Sequence, residues 1–435
     1  MRARSIVPLL LSLLVLGPPA AAEASPQDLF GYGGRTPGLA MTGASYADTY
    51  EAVYANPAGL ARIDRSRVTA GLHGASFETE VDGEPFFIDS SRGFTLGLEL
   101  PLPFGGVLED RLAVGIAFFT PTNVLLRSTL RYPDVPQFPV LDRTGVVAAQ
   151  VGLGIDLHGA IDGLRLGVAF SATASTIGAL EVGLNEAQRF ESITEVDLIA
   201  TFSPIVGLSY DIGDFAFGLV YRGEIDSVNS LDIETFGLPV ELPLLELGGH
   251  VQYDPPVLAL EASWMATPQW RLIAQGTARF WGAYPGAIDK TTASSNEPPD
   301  HEFEHTLSPR LAVEHVRQAR GLEWALRLGY AWEHTPAPPA RNAVARDEEG
   351  EPRTDRSGEV VRTPLRYFDN DRHVVTGGLG FELFVADHAS LHLDLYGQIH
   401  VMPEREHLIG FTDDSPPATT RGVIAGGGWT AGLSW

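Results

Sequence analysis

Three groups of side chains in this chain have types and spacings suited to chemistry. His301-Glu302-Phe303-Glu304-His305 satisfies the H-E-x-x-H pattern, in which two imidazoles on one helical face share a zinc ion and the glutamate serves as base. His392, Asp394 and His400 recur at even spacings, so a strand would present them on one face, as a hydrolase on a barrel wall would need. The acidic runs Asp347-Glu348-Glu349 and Asp369-Asn370-Asp371 offer carboxylates to a divalent cation held against lipopolysaccharide.

The elements that must position these groups argue against each chemistry. Pro298-Pro299 and Pro309 bracket the first motif and argue against the long helix it requires. On a strand its histidines would stand ~13 Å apart, beyond shared coordination. No serine has a nucleophile signature, so His392, Asp394 and His400 read as polar lining of a strand face. The acidic runs read as solvated loop. The chain contains no cysteine, which removes disulfides and thiolate metal sites. No catalytic residue, no metal and no cofactor is expected, and the chain is not read as an enzyme.

Residues 1 to 22 have the layout of a secretory signal: Arg2 and Arg4, an apolar run from Ile6 to Leu16, then Ala20-Ala21-Ala22, with Ala22-Glu23-Ala24 as a second cleavage possibility. No later stretch reaches the ~20 apolar residues of a membrane helix, although 44% of the chain is hydrophobic. The formal charge of -25 leaves no electrostatic route to nucleic acid.

Beyond residue 65 the chain alternates apolar and polar residues in segments punctuated by Gly, Pro and Asp. Leu322, Trp324, Leu326, Leu328, Tyr330 and Trp332 share one face, opposite Glu323, Arg327 and Glu333. Leu391, Leu393, Leu395, Ile399 and Val401 oppose His392, Asp394, Gln398 and His400 in the same way. The polar faces are too charged for a sandwich core, whereas a hydrated lumen accommodates them and lipid covers the apolar faces. About fourteen such segments are expected, in an all-β antiparallel transmembrane β-barrel over 66–435 with short turns alternating with long loops. The stretch 236–255 is open to miscounting as an extra strand, which would break the even count. A barrel of this size encloses more room than its side chains fill, so something must plug it. Pro121, after Phe119 in the third strand, should disturb pairing locally or mark the outer end of that strand; Pro204 poses the same question in the sixth.

The segment before the strands contains Gly31, Ala40-Met41-Thr42-Gly43-Ala44, Ser45-Tyr46-Ala47-Asp48 and Asn56-Pro57-Ala58-Gly59-Leu60. It resembles the hatch of the FadL family of outer-membrane transporters for long-chain fatty acids and other hydrophobic compounds. The resemblance implies that residues 23–65 form a small helical hatch inside the barrel, with Gly43, Ala44, Asn56, Pro57, Ala58 and Gly59 at the gate. Ala40, Met41, Ala44, Ala47 and Ala52 suit a small helix that Pro57 and Gly59 would end. The resemblance also implies passive uptake through an apolar pocket near the hatch. Release would be sideways through a gap in the third strand, at Phe119 and Pro121. The alternating C-terminus, with Trp429, Leu433 and Trp435, resembles the signal read by the barrel assembly machinery. A monomer in outer-membrane lipid is expected. The alternatives are a non-transporting relative, acting as a secretion-system shuttle or attachment partner, and a general porin.

Overall fold

The structure is a computed structural model and describes residues 26–122, 135–142, 147–184, 189–237, 244–291, 301–339, 342–345, 351–386, 389–408 and 416–435. The expected signal and the acidic run 347–349 lie outside these residues.

Fourteen antiparallel strands close into a ring. They are β1 (Arg67–Val81), β2 (Ser91–Pro101), β3 (Leu112–Pro121), β4 (Ala148–Asp156), β5 (Leu164–Leu184), β6 (Phe190–Ile212) and β7 (Phe215–Arg222), followed by β8 (Val257–Thr267), β9 (Trp270–Arg279), β10 (Thr306–Ala319), β11 (Leu322–Glu333), β12 (Arg372–Ala386), β13 (Ala389–His407) and β14 (Ala418–Ser434). Each pairs with the next, and β14 returns to β1 from Ser434 opposite Arg67 to Thr420 opposite Val81. No edge in the closed part is left to recruit another chain.

Alternation decides which side chains meet lipid. On β11, Leu322, Leu326, Leu328, Tyr330 and Trp332 are exposed on the outer wall, while Arg327 and Glu333 are buried within. Leu391, Leu395, Ile399 and Val401 of β13 face out, whereas Gln398 and His400 face in. An exterior band this apolar is stable only in a bilayer. Short turns such as 213–214, 268–269 and 320–321 gather at one end of the barrel, and the long connections at the other. Bacterial barrels place short turns in the periplasm and long loops outside.

The stretch around 236–255 does hold strand, without disturbing the count. Ile225–Phe236 and Leu245–Asp254 form an antiparallel pair outside the ring. The first also runs parallel to β5 from Thr176 opposite Asn229 to Gly183 opposite Phe236, above the level where β4 begins at Ala148. The β5–β6 pair is the longest, with strands of 21 and 23 residues, and carries the wall well beyond its neighbours.

Candidate functional site

Residues 26–63 lie inside the ring as short turns of helix: Pro26–Phe30, Pro37–Leu39, Ala52–Ala55 and Pro57–Arg62. The run from Ala40 is not one helix, because Ala40 and Met41 sit at φ 55° and 59° and Gly43 at φ 151°, which turns the chain. Pro57 begins a helix where the sequence suggested that it ends one. Asn56 is extended and its Oδ1 accepts from the Ala58 N–H at 3.0 Å, so it caps a turn whose first position suits a proline.

The Asn56 amide joins this segment to the wall. Its Nδ2 donates to the Ala44 carbonyl at 2.5 Å and to the Leu208 carbonyl of β6 at 3.0 Å. Such close approach is possible because glycines floor the wall beneath it. A Cβ on Gly207 would lie 1.8 Å from Asn56 Oδ1, on Gly167 2.1 Å from the Ala58 nitrogen, on Gly218 1.9 Å from the Ala44 oxygen, and on Gly154 2.5 Å from the Ala61 nitrogen. Four successive strands, β4 to β7, therefore omit a side chain where the segment rests on their backbone. Gly43, Ala44, Asn56, Pro57 and Ala58 are thus gathered at one place on the wall, and Gly59 packs beside them against the Ala47 carbonyl.

Buried carboxylates supply a second set of attachments. Glu261 of β8 accepts from the backbone N–H groups of Gly43, Ala44 and Ser45, and Glu99 of β2 from Tyr50 N–H at 2.8 Å. Glu51, within the segment, accepts from the N–H groups of Gly34, Arg35 and Thr36 and staples its two halves. Burial pushes the Glu51 carboxyl above the usual range, and those donors pull it partly back. On the opposite wall, Gln398 donates to the Phe30 and Pro37 carbonyls, both at 2.9 Å. Thr376 bonds both Ala40 N–H and the Gly38 carbonyl.

Below the segment, toward the short turns, the lumen is ionic. Glu314 takes both arms of Arg35 at 2.8 and 2.9 Å and Arg327 at 3.0 Å, while Arg327 continues to Asp394. The Arg35 and Arg271 guanidinium groups lie over the Tyr46 ring at 5.0 and 5.3 Å. These groups edge a polar cavity of about 510 Å³. Above the segment an apolar column runs beside a second buried ionic cluster, in which Arg279 and Arg310 share Glu333 and Arg279 also reaches Asp28. Leu29 and Phe30 pack with Ala75, Ile88, Phe138, Leu141, Phe368, Met402 and Ile424. The rings of Phe86, Phe138 and Phe368 succeed one another at 5.2 and 6.0 Å up to the loops. The resemblance implied an apolar pocket near the hatch. Two cavities beside the segment's Gly31 and Tyr32 measure only about 20 and 10 Å³, the second lined also by Phe119.

The remaining sequence candidates separate clearly. Phe119 is buried, and its ring covers Gly93 of β2, where a Cβ would meet it at 2.0 Å. Pro121 is the last residue of β3, and the ladders on both sides of that strand run without a register shift. Pro204 likewise pairs in register with Phe170. Leu433 and Trp435 are exposed on the lipid face, and Trp435 N–H reaches the Ser66 carbonyl at 3.0 Å. Residues 301–305 are irregular: His301 stacks on Tyr367 at 4.8 Å, and His305 packs instead on Phe280. Among the described residues no group of His, Cys, Asp and Glu could hold a metal. His392 does meet two serines, Ser390 and Ser434, at 3.1 Å, and both serines are completely buried. His400 bonds Gln398 instead, and Asp369 and Asn370 are buried in loop contacts, not solvated.

Glu261, Glu99, Arg35 and the glycine floor were missed in the sequence. The only available signal was the repetition of inward-facing glycine at Gly154, Gly167, Gly207 and Gly218 in consecutive strands.

No family model and no curated relative matches the chain. Solved structures do match: a Pseudomonas aeruginosa FadL homologue aligns with a TM-score of 0.54 at 14% identity, covering 92% of this chain and 97% of that one. The chain has the FadL-type barrel fold. The Pseudomonas putida toluene transporter TodX aligns at TM-score 0.50 and 13% identity, over 94% of this chain and 99% of its own. The Ralstonia pickettii toluene transporter TbuX gives 0.50 and 13%, over 93% and 98%. At these identities the likeness is one of fold.

Proposed function

We propose that this barrel is an outer-membrane channel for passive uptake of hydrophobic compounds such as long-chain fatty acids, with residues 26–62 as a hatch that rearranges to admit them. The observation that carries the reading is the FadL-type ring filled by this segment, with an apolar column of Phe86, Phe138, Phe368, Met402, Ile424, Leu29 and Phe30 leading to it from the loops. Each methylene leaving water for such a column gains roughly 0.8 kcal/mol, so capture needs no charge pairing. The arginines bordering the lumen are already engaged: Arg279 and Arg310 by Glu333, Arg372 by Asp369. Cargo would therefore be held by its apolar part.

Lateral release between β2 and β3 is the finer part of the proposal. It is supported by Phe119, which reaches from the filled region to cover Gly93 in the wall. Swinging that ring away and parting the outer end of the β2–β3 ladder, where Gly93 faces Pro121, would open the wall to the membrane, so cargo would bypass the ionic web below the segment. The closed lumen opposes the general-porin reading.

Uptake of labelled oleate and of toluene by cells lacking their own transporter tests this function, with and without Asn56→Ala. Both compounds should enter faster than in empty cells, and Asn56→Ala should change the rate because two buried carbonyls lose their donor. Rates equal to those of empty cells would reject the channel. The attachment-partner reading would then gain, and it draws on the projecting β6 end, where Phe190, Val196 and Leu198 are 80%, 62% and 74% exposed.

A further inference from the structure

We propose that Glu261 is the latch of the hatch: a fixed wall carboxylate that keeps the barrel shut by holding the Gly43–Ser45 loop. The proposal rests on the reading of residues 26–62 as a movable plug and names the residue that controls it.

Glu261 lies midway along β8, points into the lumen and is 1% exposed. Its Oε2 accepts from Gly43 N–H at 2.7 Å and Ala44 N–H at 3.0 Å, and its Oε1 from Ser45 N–H at 2.8 Å and Ser45 Oγ at 2.5 Å. All four donors belong to the segment. The φ of 151° at Gly43 lets three successive N–H groups converge, making the concave anion seat that backbone dipoles form elsewhere around phosphates.

Glu261 differs from the other buried glutamates of the barrel wall in its lack of a cation. Glu314 has Arg35 and Arg327, and Glu333 has Arg279 and Arg310. Glu99 takes only Tyr50 N–H from the segment and has Arg67 at 3.6 Å. Among the described residues Glu261 has no ion-pair partner, so the hatch's own N–H groups are what keep its charge tolerable. Lifting the loop strands a bare carboxylate in a water-poor wall, a costly state. The same loop is held from behind, since the Ala44 carbonyl accepts from Asn56 and lies against Gly218. Neutralising Glu261 therefore removes the charged member of a three-sided clamp and leaves the barrel strands untouched.

The absence of cysteine allows a direct test. Thr42 is buried next to the loop, and Thr42→Cys would report its exposure to a water-soluble maleimide in vesicles holding the full chain. With Glu261→Ala, labelling should quicken at least about tenfold and the ion conductance of planar bilayers should rise from near silence. Glu261→Gln should fall between, since it keeps the volume and one acceptor. Gly218→Ala should act in the same direction by pushing on the Ala44 carbonyl. A heat-resistant, folded Glu261→Ala or Glu261→Gln barrel that labels and conducts like its parent overturns the latch. So does a variant that merely lowers the yield of folded barrel while each folded molecule labels at the parent rate. Should Glu261→Ala not refold, Glu261→Gln decides alone. Oleate and toluene uptake by the same proteins separates the two readings. Fast labelling without cargo uptake keeps the latch and rejects the channel, and the converse keeps the channel and rejects the latch.

Discussion

The two halves of the lumen differ in that only the loop half carries an apolar column. Toward the loops a stack of apolar side chains from Phe86 to Phe30 stands beside the closed ion pairs of Glu333 with Arg279 and Arg310, while toward the short turns a web of arginines and carboxylates surrounds a polar cavity of about 510 Å³. An apolar solute gains free energy in the first half and would lose it again in the second. The inner segment lies at the boundary between them. Packing and polarity both obstruct the straight path, which is what the proposed lateral exit would avoid.

Breaking the ionic half should have the largest effect. Glu314→Leu leaves Arg35, Arg327 and Arg271 without their shared carboxylate, and such a loss typically costs about 3–5 kcal/mol. Reversible urea unfolding in lipid should show it, together with a raised ion conductance. Breaking the apolar half should cost a similar or slightly smaller amount, about 3–4 kcal/mol for Phe138→Ala, whose ring is fully buried. Here conductance should stay near silent while apolar cargo enters faster, and a rise in conductance would contradict the division into halves.

At the boundary, Gly207→Ala places a methyl 1.8 Å from Asn56 Oδ1. The segment must shift, at about 1–3 kcal/mol, which quicker maleimide labelling of Thr42→Cys would report. The smallest effect belongs outside the lumen. Arg421→Ala removes an exposed pair with Glu80 on the outer rim and should alter neither unfolding nor uptake measurably.

The wall was legible and its attachments were not. Alternation in Leu322 to Trp332 and in Leu391 to Val401 assigns faces, because a strand turns each side chain over once per residue. The doubtful stretch 236–255 shows the limit of that signal: it holds a real strand, but periodicity does not say that the strand pairs beside β5 outside the ring. Asn56 and Pro57 stood out in the sequence, yet the expected helix end at Pro57 proved to be a helix start, because Asn56 caps the Ala58 N–H and Pro57 takes the first helical position, a local signal that the sequence did carry.

Composition and a period of two were sufficient for a lipid-facing barrel, since outer and inner solvents act on every second residue independently of its distant neighbours. Which wall residues meet the inner segment was decided only when the ring closed. Glu261 is 218 positions from Gly43, and the four glycines of the floor come from four separate strands. Strand stagger and barrel diameter bring them together, and no local pattern encodes what stands on the far side of a lumen.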